Sequence, residues 1–314
     1  MSDIVSRVKR KVDKALNQKR SYDYPPTSGG FKKHESNPVL YRQDGGSMFD
    51  PFVRVTDGRF VMCVSNRPDR SLELYTSDNG ADWSLRCVAL KAIPGTWEDN
   101  LNRGCFLIKD GVWYLYYTGQ QNGISRIGLA KSDDGIHFSR VQSDPVVDPE
   151  LAFETAAVMN PCVMYDEEKQ LFRMWYAAGE NFEPDVLAYA QSADGVNWTK
   201  RSQPVMTADP GTEYKKCKVG ACDIIRMDDG RYCMAYITYQ NVDVARIGLA
   251  YSDSGIDGWT DDKANPIISP EKNRWDANAV YKPSVCIKDG AMMLWYNGRS
   301  GSKESIGMAI KKEF

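Results

Sequence analysis

Hydrophobic residues in this chain fall into short runs separated by tight polar turns, and the same order of runs recurs five times. Each repeat begins with an apolar run, such as 105–108, which is followed in four of the five copies by an Asp-Gly turn. An aromatic run comes next, such as 113–117, and then a run of small and apolar residues, such as 127–130. Because Asp-Gly between strand-like runs is typical of a β-hairpin, the pattern predicts successive antiparallel strands.

A second motif ends the repeats: Ser, any residue, Asp or Asn, Gly, two residues, then an aromatic. Its serines are Ser77, Ser132, Ser192 and the looser copy Ser252, which lie 55, 60 and 60 residues apart. A short run that begins with proline follows three of these copies, as at 145–147, and predicts an outer fourth strand, where a missing N–H interrupts no ladder bond. Repeats of this length built from short strands predict an all-β fold, a five-bladed β-propeller over residues 37–314.

The two ends of the chain complement each other. The fifth repeat ends at Phe314 before any fourth strand, whereas residues 37–40 (Asn-Pro-Val-Leu) resemble residues 265–268 (Asn-Pro-Ile-Ile). We therefore expect residues 37–42 to supply the outer strand of the fifth blade, so that an N-terminal strand closes the ring and leaves no open sheet edge.

Residues 1–36 are predicted to be an N-terminal amphipathic helix and a linker. Apolar residues at positions 4, 8, 12, 15 and 16 share one helical face, and basic residues occupy the others. Two roles remain open for such a helix: packing on the propeller or on another subunit, or contact with an anionic membrane surface.

Composition narrows the partners. The 40 basic and 42 acidic residues give a net charge of −2, which makes no case for a nucleic-acid ligand. No apolar run reaches the ~18 residues of a membrane span, and the charged N-terminus is unlike a secretory signal. We therefore expect a cytoplasmic protein with eight reduced cysteines, and no metal or other cofactor, since no set of Cys and His residues completes a zinc site.

In a propeller, the loop before each first strand crosses one face of the ring and enters the central channel. We call it the approach loop. The last approach-loop residues, aligned across the five repeats, are Asp50, Arg103, Asn160, Gly220 and Lys282. This mixture of acid, base and amide predicts a polar functional site on the axis.

The five repeats can be aligned on the residue that follows each approach loop: Pro51, Gly104, Pro161, Ala221 and Pro283. The residues seven positions earlier are Asp44, Trp97, Glu154, Tyr214 and Asp276, and Glu98 and Glu213 are adjacent to two of them. Every repeat therefore carries a carboxylate near this place. Paired carboxyl groups, one charged and one protonated, perform glycoside hydrolysis. Aromatic residues near the same loops could stack on sugar rings; they are Phe49, Trp97, Trp275 and Tyr281. The alternative is that individual acids only cap turns between blades.

The candidate catalytic residues are accordingly Asp50, Glu154, Glu213 and Asp276. The candidate substrate-binding residues are Asp44, Trp97, Glu98, Arg103, Asn160, Tyr281 and Lys282. The Ser/Asp/Gly turns are interpreted as structural, because such side chains bond their own turn backbone. The two histidines, His34 and His137, give no support to a Ser-His-Asp mechanism.

Over residues 37–314 the chain resembles the five-bladed β-propeller glycosidases, namely glycoside hydrolase families 43, 32, 68 and 130. The resemblance rests on Phe49-Asp50-Pro51, on the repeated turns, and on residues 275–285. It implies a first-blade Asp as base or nucleophile, a third-blade Asp that orients substrate, and a fourth-blade Glu as general acid. Asp50 matches the first of these. Asn160 stands in place of the second, where Glu154 could substitute, and Glu213 is the nearest candidate for the third.

Three functions stay open at this point. The first is a glycoside hydrolase-like enzyme that uses Asp/Glu acid–base chemistry on a carbohydrate substrate. The second, implied by resemblance to family 130, is a glycoside phosphorylase with Arg103, Lys218 or Lys282 as anion-binding residues. The third is a non-catalytic carbohydrate-binding propeller linked to polysaccharide metabolism.

Overall fold

The computed structural model describes residues 24–180 and 184–312, which form an all-β structure with one short 3-10 helix, Glu213–Lys215. The expected N-terminal amphipathic helix lies outside the described residues. Within the described ranges, no helix is long and apolar enough to cross a membrane.

The strands group into antiparallel four-stranded units that follow the sequence repeats. Unit 1 consists of β2 (Met48–Thr56), β3 (Arg59–Asn66), β4 (Ser71–Ser77) and β5 (Ser84–Lys91). Unit 2 consists of β6 (Asn100–Lys109), β7 (Val112–Gln121), β8 (Ile124–Ser132) and β9 (Ser139–Arg140). Unit 3 consists of β10 (Ala157–Asp166), β11 (Leu171–Gly179), β12 (Val186–Ser192) and β13 (Thr199–Lys200). A single parallel pairing, Ser125 with Ala157, joins units 2 and 3 into one eight-stranded sheet.

Unit 4 consists of β14 (Lys218–Arg226), β15 (Tyr232–Asn241), β16 (Val244–Ser252) and β17 (Thr260–Asp261). Unit 5 consists of β18 (Ala279–Lys288), β19 (Ala291–Ser300) and β20 (Lys303–Lys311), and its fourth strand is β1 (Lys32–Lys33) from the N-terminal region. Leu40 adds one further bridge to Ile306. The N-terminal segment thus joins the last sheet as expected, but the pairing begins in the predicted linker, before residue 37.

The Ser/Asp/Gly turns have the structural role that the sequence indicates. In the second copy, the Ser132 hydroxyl accepts from the Gly135 N–H at 3.0 Å, and Asp134 accepts from the next two backbone N–H groups at 2.8 Å. The glycine carbonyl of a turn accepts a hydrogen bond from an aromatic side chain of the neighbouring unit: Gly195 from Tyr116, Gly255 from Trp175 and Gly80 from Trp295. These bonds connect unit 2 to unit 3, unit 3 to unit 4, and unit 5 to unit 1.

Each first strand has a β-bulge where its approach loop ends, and this irregularity positions the site. In units 1, 2, 3 and 5 the bulged residues have positive φ: Asp50 (60°), Arg103 (40°), Asn160 (55°) and Lys282 (52°). A left-handed backbone at a non-glycine residue is strained, and such strain concentrates at functional sites. A bulge also turns the side chain away from the alternation of the strand.

Side chains of neighbouring units hold three of these bulges. The N–H of Asp50 donates to Asn297 Oδ1 at 3.0 Å, that of Arg103 to Ser65 Oγ at 2.9 Å, and that of Asn160 to Thr118 Oγ1 at 2.9 Å. In each case the acceptor belongs to the second strand of an adjacent unit. The strained positions are therefore fixed by contacts between units.

Candidate functional site

A cavity of about 400 Å³ opens beside the beginnings of four first strands, those of units 1, 2, 3 and 5. All five units contribute to its wall. The residues that line it are Phe49, Asp50, Arg67, Asn100, Asn102, Thr118, Gln120, Met159, Asn160, Pro184, Ile237, Tyr239, Val242, Asp243, Ala245, Ala279, Tyr281, Lys282, Arg299 and Glu304. Amides, carboxylates and cations share this wall with three aromatic rings, a composition suited to a ligand with many hydroxyl groups.

Asp50 is the buried carboxylate of this cavity, with 2% of its surface exposed. Its Oδ1 has no hydrogen-bond partner among the described residues. The Lys282 ammonium lies 3.8 Å from that oxygen and is its counter-ion. A buried carboxylate oxygen without a donor is rare, and it marks a place where a ligand can supply the missing bond.

Asn160 and Lys282 form the second half of this group. Lys282 Nζ donates to Asn160 Oδ1, while Asn160 Nδ2 is buried without a hydrogen-bond partner in the described part of the chain. The three aligned approach-loop residues therefore meet, and two of them present unsatisfied polar atoms at the cavity. An Asp at position 160 would have competed with Asp50 for the same ammonium.

Tyr281 lies beside this group and is anchored by a different acid. Its hydroxyl donates to Glu304 Oε1, and Arg67 contacts the other Glu304 oxygen at 3.3 Å. Burial, and then the Glu304 charge, raise the pKa of Tyr281 well above its usual value, so the hydroxyl stays protonated and remains a donor. The Arg67 guanidinium also lies 4.3 Å from the centre of the Phe49 ring.

Arg103 does not line the cavity, although its backbone occupies the predicted position. Its fully buried guanidinium donates to the carbonyls of Pro51 at 2.8 Å, Pro283 at 2.9 Å and Cys222 at 3.4 Å. These carbonyls belong to the first strands of units 1, 5 and 4. Arg103 therefore ties three first strands together through its two terminal nitrogens, and its substrate-binding role stays a prediction.

Glu154 is buried away from the cavity as well. It accepts hydrogen bonds from the N–H groups of Glu150 (2.6 Å) and Leu151 (2.8 Å), from the Tyr176 hydroxyl (2.7 Å) and from Lys200 (2.9 Å). Burial alone would raise its pKa, but the backbone N–H groups, Lys200 and Tyr176 outweigh it, so the pKa of Glu154 lies below its usual value. A carboxylate so fully bonded has no free oxygen for a substrate.

The arrangement of Glu154, Tyr176 and Lys200 recurs in other units, and we call it a clamp. A clamp consists of an approach-loop acid, a tyrosine of the second strand and a cation of the outermost strand. Glu98 repeats it in unit 2 with Arg140 at 2.7 Å and Tyr117, and Asp276 repeats it in unit 5 with Lys33 at 2.6 Å and Tyr296 at 3.3 Å. Glu98 and Asp276 are buried and, like Glu154, do not line the cavity. In this arrangement both acids hold their approach loops, and the catalytic role of Asp276 and the substrate-binding role of Glu98 stay predictions.

Unit 4 contains the same clamp with its charges exchanged. Its outer strand carries an acid, Asp261, which accepts from the hydroxyls of Tyr214 and Tyr236 at 2.7 Å and pairs with Lys215. The approach loop supplies the tyrosine and the lysine here instead of the acid. Because polarity can be inverted while the geometry is kept, the clamp serves to hold the approach loop against its own unit.

The remaining predicted residues lie outside the cavity wall. Trp97 stacks on Tyr117 with ring centres 6.0 Å apart and donates to the Ser143 carbonyl, and a side chain at Gly119 or Gly128 would collide with its ring. Trp97 therefore packs within unit 2, and its role in stacking on a sugar stays a prediction. Asp44 is exposed and bound to Arg42, and the exposed Glu213 is bound to Lys216 and Gln240.

The cavity also contains functional groups that the alignment of approach loops misses. Arg67, Gln120, Asp243 and Arg299 come from the cavity-side ends of second strands or from the turns that follow them. The aligned ends of the aromatic runs were the signal that could have identified them. No group of three or more His, Cys, Asp or Glu residues in the described ranges could hold a metal ion.

Comparison with known sequences gives three related findings. A family model described as Glycosyl hydrolases family 32 N-terminal domain matches residues 88–234. An uncharacterized protein of Mycobacterium tuberculosis (strain CDC 1551 / Oshkosh) is 28% identical over 210 residues, which cover 62% of this chain and 66% of the relative, just under two thirds of its length. A 1,2-beta-oligomannan phosphorylase of Thermoanaerobacter sp. (strain X514) is 24% identical over 212 residues, which cover 64% of this chain and 65% of the relative.

Solved structures share the fold. One, described as part of the GH130 family of mannoside phosphorylases that contains glycoside hydrolases, has a TM-score of 0.70 and 15% identity and covers 93% of this chain and 96% of that chain. The beta-1,2-mannobiose phosphorylase of Listeria innocua has a TM-score of 0.68 and 12% identity, with coverage of 90% and 96%. A thermostable family-43 glycoside hydrolase has a TM-score of 0.66 and 18% identity, with coverage of 85% and 91%. The resemblance of this chain to the five-bladed β-propeller glycosidase superfamily is thus confirmed.

Proposed function

We propose that this protein is a glycoside-cleaving enzyme whose active site is the 400 Å³ cavity and whose central acid is Asp50. One observation carries the proposal: a buried carboxylate with an unsatisfied oxygen, on a strained bulge, faces a ligand-sized polar cavity. The strain and the missing hydrogen bond oppose folding, and such features are typical of catalytic sites.

The proposal includes the architecture that creates this site. We propose that the five units are the blades of a closed propeller and that residues 32–40 complete the fifth blade. The bond from Trp295 of unit 5 to the Gly80 carbonyl of unit 1 supports closure, as does the reach of Arg103 from unit 2 to units 1, 4 and 5. Closure would bring the five bulges to one axis.

In the reaction, Asp50 acts as base or nucleophile at the anomeric carbon. Lys282 holds its counter-charge, and Asn160 offers a buried amide donor to a sugar hydroxyl. Tyr281 presents its ring and a protonated hydroxyl beside them. Asn160 stands where the resemblance implies a second acid. Because an amide does not ionise, Asp50 has no carboxylate partner at position 160.

Phosphorolysis is a second candidate, because three cations line the same cavity: Arg67, Lys282 and Arg299. Arginine and lysine are the side chains that bind phosphate. The named relatives include phosphorylases of 1,2-linked mannosides, so β-1,2-mannobiose is the first substrate to test. A propeller that binds carbohydrate without cleaving it is the third outcome.

The test is a product analysis with β-1,2-mannooligosaccharides and a panel of aryl glycosides, with and without inorganic phosphate. Free sugar formed without phosphate identifies a hydrolase, and a sugar 1-phosphate formed only with phosphate identifies a phosphorylase. Asp50→Asn is expected to lower either activity by about 1000-fold, whereas Asp253→Asn, on the exposed outer turn of unit 4, should retain it. Calorimetric binding without turnover on any substrate would refute the enzyme and favour the binding protein.

A further inference from the structure

Besides Asp50, the cavity wall contains another carboxylate without a bonding partner among the described residues, that of Asp243. Three described acids line the wall: Asp50, Asp243 and Glu304. Glu304 is committed, since one oxygen accepts from Tyr281 and the other contacts Arg67. Asp243 has a buried Oδ2 without a hydrogen-bond partner and no ion pair within the described residues.

The position of Asp243 is built by the hairpin that joins β15 and β16. Asn241 Oδ1 accepts from the N–H of Asp243 at 3.0 Å and from that of Val244 at 3.1 Å, which fixes the tight turn. The register of the two strands shifts between Tyr239 and Asn241, so the turn departs from a regular ladder. A bulge next to a turn re-aims side chains, and here the result is that Asp243 joins the cavity wall.

The surroundings of Asp243 differ from those of Asp50. Val242 and Ala245 of the same hairpin also line the wall and are apolar, whereas Asp50 has the Lys282 ammonium at 3.8 Å. The two acids also come from units 4 and 1, which are not consecutive in the chain. A glycoside-cleaving site needs two groups in contrasting environments on either side of the scissile bond.

We infer that Asp243 is the second catalytic residue of this site, the proton donor to the departing oxygen. This inference rests on the proposed function. The carboxyl proton of Asp243 passes to the glycosidic oxygen as the C1–O bond breaks, and that oxygen keeps the bonding electron pair and leaves as an alcohol. C1 gains a bond to the oxygen of water or, in phosphorolysis, of dihydrogen phosphate, and the proton that this nucleophile loses restores the carboxyl group of Asp243. No oxidant or reductant is required.

The test compares two glycosides that share a glycon and differ in the leaving group: a disaccharide, which needs a proton donor, and a 2,4-dinitrophenyl glycoside, which does not. Loss of general-acid catalysis is expected to lower turnover of the disaccharide by the Asp243→Asn variant by roughly 100-fold or more. Turnover of the dinitrophenyl glycoside should stay within a few-fold of the wild type. A merely structural role would lower both rates together.

Asp243→Ser provides a second variant in case the first does not fold, because it leaves a small hydroxyl at the cavity wall, and Asp253→Asn is the control. Equal losses on both substrates, or no loss on either, would overturn the assignment to Asp243. If the Asp243 assignment fails in this way but Asp50→Asn loses turnover of both the disaccharide and the dinitrophenyl glycoside, the proposed function is still supported. A wild-type protein inactive on every glycoside would remove the proposed function and this inference with it.

Discussion

Carboxylates occupy two regions of this molecule, and their bonding differs between them. In the clamps, Glu154 accepts four hydrogen bonds, and Glu98 and Asp276 each face a cation of the outermost strand. At the cavity, Asp50 and Asp243 each keep a buried oxygen without a donor among the described residues. Acids at one shared sequence position thus differ in their hydrogen bonding from the cavity acids, and a buried oxygen without a donor is the feature typical of a functional acid.

Neutralising a cavity acid should lower activity, whereas neutralising a clamp acid should lower stability. The largest effect is expected for the activity of the Asp50 variant. Asp50→Asn should lower the turnover number by about 1000-fold, as expected for loss of the central acid or nucleophile. Its melting temperature should fall less than that of a clamp variant, because Asp50 Oδ1 makes no hydrogen bond among the described residues and the Lys282 ammonium, 3.8 Å away, keeps its bond to Asn160. Glycoside cleavage and thermal unfolding measured on the same preparation check both halves.

The clamp acid should respond in the reverse way. Glu154→Gln leaves the buried Lys200 without its main partner and is expected to lower the free energy of unfolding by about 3 kcal/mol. Activity of the folded fraction should be unchanged. Glu150→Gln is the matched control, because Glu150 contacts the same Lys200 at 3.4 Å from an exposed position and should contribute less than about 1 kcal/mol. A similar loss in both variants would contradict the clamp.

A smaller effect is expected from the residue that fixes the Asp50 bulge. Asn297→Ala removes the acceptor of the Asp50 N–H and should lower the turnover number by about 10-fold, since a misplaced catalytic group reacts more slowly. The matched variant Ser65→Ala removes the equivalent acceptor of Arg103, whose side chain is outside the cavity. Kinetics of the two variants should differ, and equal turnover would show that the Asp50 bulge needs no such support.

Clamps should also be visible in the pH dependence of stability. Because the pKa of Glu154 is lowered in the folded protein, its contribution is complete above the unfolded value of about 4.5 and is lost as the pH falls through the folded value. The difference in unfolding free energy between wild type and Glu154→Gln should therefore shrink from pH 6 towards pH 3. Denaturant titrations at several pH values measure it, and a constant difference would argue against a lowered pKa.

The smallest effect belongs to Glu213, which the sequence also nominated as an acid. It lies exposed on the 3-10 helix, bonded to Lys216 and Gln240 and away from the cavity wall. Glu213→Gln should change turnover less than two-fold and leave the melting temperature almost unchanged, because an exposed ion pair contributes little to stability. A large loss of turnover with an unchanged melting temperature would restore Glu213 as a candidate.

Periodicity predicts much of this fold, because the strand and turn signals are local. The repeats place the hairpins correctly, and the resemblance of residues 37–40 to 265–268 points to the N-terminal segment in the last sheet. The repeats also align Asp50, Asn160 and Lys282, whose side chains lie together in the structure.

The rest of the site depends on partners distant in sequence. The clamp of Glu154 requires Lys200, 46 residues away, and that of Asp276 requires Lys33, 243 residues away. Arg103 shares the alignment position of Asp50, yet its side chain donates to three backbone carbonyls and does not line the cavity. Such pairings arise only when the units assemble, and so approach-loop position alone does not distinguish the acids that are bonded to other residues from those that line the cavity.

The most direct measurement is a crystal structure of the Asp50→Asn variant soaked with an oligosaccharide that the wild type cleaves. We expect a sugar in the 400 Å³ cavity, with its anomeric carbon between residues 50 and 243 and its hydroxyl groups on Asn160 and Lys282. The clamps of Glu98, Glu154 and Asp276 should be unchanged. A sugar bound against Trp97 and Glu98, or against Glu154 with its clamp opened, would contradict the separation of the two regions.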